Sequence, residues 1–105
     1  MSAADTTRAL RLIAECLDGL PGLPDVSVTT SARSISVQVV DRGGADETTR
    51  TSAVDVLLSL LGGEPATTVE YEDDPGHGNY GGTGHLGAHH VWVFTPMPIP
   101  AQVSA

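Results

Sequence analysis

A chain of 105 residues, 40% of them hydrophobic, is long enough for one domain with an ordinary core and too apolar for global disorder. The formal net charge is −8 and lysine is absent, which excludes a Walker A loop and a Schiff-base lysine and argues against nucleic-acid binding. The same charge favours a basic protein partner. The single cysteine, Cys16, permits neither an intrachain disulfide nor a cysteine zinc cluster.

The N-terminal residues show no basic segment followed by an apolar run, so we expect no signal peptide. The longest apolar stretch, Val54 to Leu61, is too short to span a membrane. We therefore expect a cytoplasmic protein that does not associate with membranes. Because lysine codons are rich in A and T, the absence of lysine also indicates a high-GC bacterium.

The first half of the chain predicts a helix followed by a β-hairpin. Apolar residues recur at helical spacing over 5–20, and the glycines and prolines of 19–24 end that helix. Apolar and polar residues then alternate over 26–30 and again over 34–40, which is the pattern of half-buried strands.

The second half predicts another helix and two more strands. The helix covers 46–61 and ends at two glycines, Gly62 and Gly63. Strands are expected at 66–72 and 89–95. Prolines at positions 96, 98 and 100 are expected to prevent further pairing, so 96–105 is predicted to be an extended, proline-rich tail.

The element order α-β-β-α-β-β predicts an α+β fold. We expect a two-layer sandwich in which a four-stranded, mostly antiparallel sheet carries two helices on one face. Residues 1–95 would form this single domain. The predicted core consists of Ile13, Leu17, Val28, Val37, Val39, Leu57, Leu61 and Val69.

The segment from Asp73 to Ala88 contains six glycines and joins the two last predicted strands. Such a segment predicts either a mobile hairpin loop or a binding loop. All four histidines lie in it or directly after it, and His77, His85 and His89 are the candidate metal ligands. Their spacing matches no metal-binding motif, so we expect no tightly bound metal and no cofactor.

The last predicted strand leaves two alternatives for its aromatic side chains. If Val91 and Val93 face the helices, Trp92 and Phe94 stand on the open face of the sheet and form an association surface. If the aromatic pair fills the core instead, the valines face outward. The candidate interaction surface consists of His90, Trp92, Phe94, Glu70 and Glu72.

These features favour a small, acidic, non-enzymatic protein-interaction module of the regulator, adaptor or inhibitor type, which forms a homodimer. The dimer would use either the open sheet face or the edge of the last strand. The alternative is a small-ligand or metal-binding domain that uses the Gly/His-rich segment 73–90. An enzyme is less favoured than either, because no catalytic motif is recognisable.

Overall fold

The computed structural model of the protein describes residues 3–20, 25–31, 34–40, 46–87 and 89–98. Of the predicted tail, residues 99–105 lie outside this description. Neither described helix is long and apolar enough to cross a membrane. The elements in chain order are α1 (Ala3–Asp18), β1 (Val26–Ser31), β2 (Ser34–Val39), α2 (Glu47–Leu60), β3 (Thr67–Glu70), β4 (His77–Leu86) and β5 (His89–Pro98).

Helix α2 is bounded by local signals at both ends. The carboxylate of Asp46 accepts a hydrogen bond from the backbone N–H of Thr49 at 2.8 Å, and this bond lowers the pKa of Asp46 below its ordinary value. At the other end Gly62 adopts a φ of 64°, and the N–H of Gly63 donates to the carbonyl of Leu58 at 2.8 Å. This is the glycine stop that the sequence predicts.

The five described strands form one mixed sheet in the order β1-β2-β5-β4-β3. The β1–β2, β3–β4 and β4–β5 pairs are antiparallel, whereas β2 and β5 are parallel. The α+β class is therefore confirmed, and the four-stranded sheet is corrected to five strands. The last strand lies at the centre of the sheet, between β2 and β4, so it has no free edge along the stretch that pairs with both neighbours.

Strand β4 occupies most of the segment that the sequence predicts as a mobile loop. Each residue from His77 to Leu86 is paired with β5. The glycines of β4 permit close packing against α2. A Cβ added to Gly82 would lie 3.1 Å from the Leu58 side chain, and a Cβ added to Gly84 would lie 2.7 Å from the Leu61 Cβ. The loop prediction is wrong for 77–86, because glycine here brings α2 close to the sheet.

Strand β5 also continues past the predicted boundary. Pro96 pairs with Asn79 and Pro98 pairs with His77, whereas the pairing between β2 and β5 ends at Phe94. Beyond Phe94, β5 therefore has one neighbour within the described residues. Proline is tolerated there because its missing N–H removes no bond to a second strand.

The core lies between the helices and one face of the sheet, so both helices cover the same face as predicted. Of the predicted core residues, Leu17 and Val28 are half-buried and Val69 is 62% exposed, so Val69 is a wrong assignment. The buried apolar residues are Ala9, Ile13, Ile35, Val37, Val39, Ala53, Val54, Leu57, Leu58, Leu61, Val91 and Val93.

Two buried polar residues connect three elements of this core. The Arg50 Nε of α2 donates to the Oγ1 of Thr95 in β5 at 3.1 Å, and its Nη2 donates to the carbonyl of Pro96 at 3.3 Å. The Thr95 hydroxyl in turn donates to the carbonyl of Val39 in β2 at 2.8 Å. These bonds satisfy polar groups that would be costly to bury alone.

Candidate interaction surface

The sheet face opposite the helices is assigned by strand pairing. Val91 and Val93 are fully buried, so the alternate residues of β5, His90, Trp92 and Phe94, point to the open face. Paired residues on neighbouring strands share that face. The open-face residues of the other strands are Ser27, Thr29, Ser34, Ser36, Gln38, Thr67, Val69, His77, Asn79, Gly81, Thr83 and His85.

An aromatic pair lies at the centre of this face. The rings of Trp92 and Phe94 are stacked, with centroids 4.1 Å apart and planes inclined by 21°. Trp92 is 43% exposed although it belongs to the central strand. Of the two alternatives that the sequence leaves open, the structure therefore has the valines inside and the aromatic side chains on the open face.

Strand β3 adds apolar surface that the sequence analysis missed. Val69 lies on the open face opposite Asn79, and the Tyr71 hydroxyl donates to the Asn79 Oδ1 at 2.7 Å. Tyr71 is 37% exposed. We call the surface formed by Trp92, Phe94, Val69 and Tyr71, with the polar open-face residues around them, the aromatic face.

Of the two predicted carboxylates, Glu70 does not lie on the aromatic face, and no strand pairing places Glu72 there. Glu70 pairs with Gly78, which lies on the helix side of the sheet, and Glu72 lies beyond the end of β3. The facing of Glu70 could not be predicted, because the orientation of β3 depends on its register with β4 and β4 was expected to be a loop. The alternation of Thr67, Val69 and Tyr71 was the available signal, but Val69 was assigned to the core.

The aromatic face is poor in acidic and basic side chains, although the protein is strongly acidic. Among the described strand residues that point to it, there is no aspartate, glutamate, lysine or arginine. The chain as a whole carries thirteen carboxylates. Depletion of charge around aromatic residues is typical of the centre of a protein–protein interface.

The three candidate metal ligands are not brought together. His77 and His85 lie eight residues apart along β4, a separation of about 26 Å at about 3.3 Å per residue. His89 alternates with His90 and belongs to the helix side, where its Nε2 is buried without a hydrogen-bond partner. Nowhere in the described chain do three histidine, cysteine, aspartate or glutamate side chains form a group suited to a metal.

Histidines nevertheless form two local pairs. The His77 Nδ1 lies 3.2 Å from the Asp74 Oδ1, at one end of β4. At the other end, the rings of His85 and His90 have centroids 5.0 Å apart on the aromatic-face side. Each arrangement is local to one end of the strand, so neither joins the histidines into a single site.

A tyrosine–carboxylate contact lies on the opposite, helix side of the sheet. The Tyr80 hydroxyl of β4 donates to the Asp55 Oδ1 of α2 at 2.6 Å. This bond raises the pKa of Tyr80 above its ordinary value, with smaller contributions from burial and from the negative charge of Asp55. The contact ties α2 to β4 and contributes nothing to the aromatic face.

No protein-family model matches the sequence, and no curated protein shows significant similarity to it.

Proposed function

We propose that this protein is a small, acidic, non-enzymatic protein-interaction module of the regulator, adaptor or inhibitor type, which binds a protein partner through the aromatic face. The observation that carries the proposal is the exposed Trp92, stacked on Phe94 at the centre of a sheet face whose described strand residues include no carboxylate, lysine or arginine. Tryptophan is among the residues that contribute most to binding at protein interfaces.

The layout of the aromatic face supports a protein partner over a small ligand. Apolar side chains lie at its centre and toward β3, and serine, threonine and glutamine side chains surround them on β1 and β2. Five strands of four to ten residues give a face of on the order of 500 Å². That area matches a small, transient protein–protein interface, which buries less than about 600 Å² per partner.

The charge distribution supports a basic partner. The described strand residues of the aromatic face include no carboxylate, whereas Glu70, Glu72, Asp73 and Asp74 are exposed at the end of β3 in a chain with a net charge of −8. Such a field steers a basic protein toward the molecule, while the uncharged centre avoids the cost of burying ions. The proposal also includes self-association and a cytoplasmic location. The location is supported by the single cysteine, because disulfide-rich chains are typical of oxidising compartments.

A small-ligand or metal-binding function is not carried forward. It would use the Gly/His-rich segment 73–90 as a binding loop, and residues 77–86 are instead paired with β5 along β4. The candidate ligands His77 and His85 occupy opposite ends of that strand. The geometry therefore favours the interaction module.

The test uses partner capture followed by a direct probe of Trp92. We expect a native binding protein to be retained by the immobilised wild type and by Leu60→Ser but not by Trp92→Ser. Leu60 is the matched control because it is an apolar residue, 57% exposed, on the outer side of α2. If both variants fail to retain the binding protein, or if both retain it, the proposed surface is contradicted.

Because Trp92 is the only tryptophan, its fluorescence reports on the aromatic face alone. Titration with the purified captured protein, itself chosen or engineered to lack tryptophan, should shift the emission to shorter wavelength and reduce quenching by acrylamide. Unchanged quenching at saturating partner would show that the partner binds elsewhere and would refute the proposed role of this face.

A further inference from the structure

The two edges of the sheet are protected to different extents. Strand β3, at one edge, has only four residues, includes Glu70, and is followed closely by three further carboxylates. Strand β1, at the other edge, has six residues, VSVTTS, without charge or proline. Short strands, charges and prolines are what proteins use to prevent edge pairing. Strand β1 has none of these, and within the described residues no strand pairs with its outer side.

The register of the β1–β2 hairpin identifies the backbone groups on that outer side. The N–H of Val40 donates to the carbonyl of Asp25 at 2.9 Å, and Val26 is opposite Val39. Hydrogen-bonded and non-hydrogen-bonded pairs alternate in an antiparallel ladder. The odd-numbered residues of β1 therefore bond to β2, and the N–H and C=O groups of Val26, Val28 and Thr30 point outward.

From this pattern we propose that a second copy of the chain pairs with the outer edge of β1, antiparallel and related by a twofold axis perpendicular to the sheet. Residues that face each other across a sheet share a face, and the register with the most facing pairs of outward residues would set Val28 opposite the partner's Val28 and Val26 opposite the partner's Thr30. Three facing pairs then provide about six backbone hydrogen bonds.

This register suits an acidic protein that pairs with itself. It places Asp25 opposite the partner's Ser31, so no carboxylate of β1 or its flank meets another. The half-buried Val26 and Val28, which face the helix side, would adjoin the same residues of the partner subunit and extend the apolar layer. Like charges directly opposite each other would oppose pairing, and β1 presents none.

Pairing through β1 rests on the proposed self-association, gives it a defined interface and has a consequence for partner binding. Because the axis is perpendicular to the sheet, the ten strands of the dimer would form one continuous sheet with both helix layers on one side. Both aromatic faces would lie together on the other side. The dimer would then present two binding surfaces to one partner or to a repeated one, which raises the avidity without any new contact.

The test places charges at neighbouring positions of the proposed interface. Ser27 and Thr29 are exposed, point to the open face, and would adjoin each other across the axis. In Ser27→Lys/Thr29→Lys, lysines would face lysines, and we expect dimerisation to weaken by about tenfold or more. This variant has a lower overall negative charge, which by itself would strengthen dimerisation. Weaker dimerisation would therefore have to come from repulsion between the lysines at the interface.

Two further variants make the test specific. Ser27→Lys/Thr29→Glu would place opposite charges across the same axis, and it should restore dimerisation to the wild-type level or above. Thr67→Lys/Val69→Lys makes the same overall change in charge at the β3 edge and should leave the dimer intact. Sedimentation velocity over a wide concentration range distinguishes the dimer from the 10.8 kDa monomer.

The outcomes separate this inference from the proposed function. A wild type that stays monomeric at every concentration, or a dimer that survives the double lysine variant, overturns pairing through β1. A dimer that is lost in Trp92→Ser but not in the β1 variants would show self-association through the aromatic face and would also overturn it. Partner binding that depends on Trp92 would stand in each of these cases, because the capture experiment measures it independently.

Discussion

Leu57 and Leu60, three positions apart on α2, show how strongly burial differs within one helical turn. Leu57 is fully buried against the sheet, whereas Leu60 is 57% exposed. We expect Leu57→Ala to lower the free energy of unfolding by about 2–5 kcal/mol, because it removes buried methyl groups and leaves a cavity. Leu60→Ala, measured in the same urea titrations, should change it by less than about 0.5 kcal/mol. Equal effects would mean that the inner side of α2 is assigned wrongly.

Single residues also mark the limit of sequence-based prediction. Periodicity predicted the inward valines of β2 and the buried leucines of α2, because each of these elements has one strongly apolar side. Periodicity could not show whether Trp92 or Val93 faces the helices, because both sides of β5 are apolar and the orientation depends on the neighbouring strands. The buried Arg50 was unexpected because arginine is rarely buried, and its partners Thr95 and Pro96 lie 45 and 46 residues further along the chain.

At the scale of elements, β4 was the main omission from the predicted fold. Its helix-facing positions include Gly78, Gly82 and Gly84, so it lacks the apolar alternation by which strands are recognised. The need for glycine becomes visible only when α2 is in place above the sheet. Without β4, the sequence could not show which side of β3 points to the helices. The omission of β4 therefore led to Val69 being assigned to the core and Glu70 to the interaction surface.

The close contact between α2 and β4 gives a prediction for Gly84. A Cβ added there would lie 2.7 Å from the Leu61 Cβ and 3.0 Å from the Leu61 carbonyl oxygen, so the end of the helix would have to move. We expect Gly84→Ala to destabilise the protein by about 1–3 kcal/mol, the usual cost of overpacking. Gly19→Ala is the matched control, because its nearest contact would be an ordinary 3.6 Å. Thermal unfolding followed by circular dichroism compares the two, and similar melting temperatures would refute the tight packing.

At the scale of the whole molecule, a net charge of −8 acts on the two proposed associations in opposite directions. Two copies that pair through β1 repel each other over the rest of their surfaces, whereas a basic partner is attracted to the aromatic face. Salt screens both effects, with a Debye length of about 10 Å at 0.1 M. We therefore expect added sodium chloride to strengthen dimerisation and to weaken partner binding.

The measurement follows both equilibria in one salt series. Sedimentation gives the dimer constant of the free protein, and Trp92 fluorescence gives partner affinity, because Trp92 lies three strands away from the outer edge of β1 in the sheet order. Ser27→Lys/Thr29→Glu keeps the net charge but places ion pairs across the axis, so its dimerisation should be strengthened by salt less than that of the wild type. Dimerisation that weakens with salt would imply attractive ionic contacts between the copies, which an uncharged strand edge cannot provide, and would therefore exclude β1 as the interface.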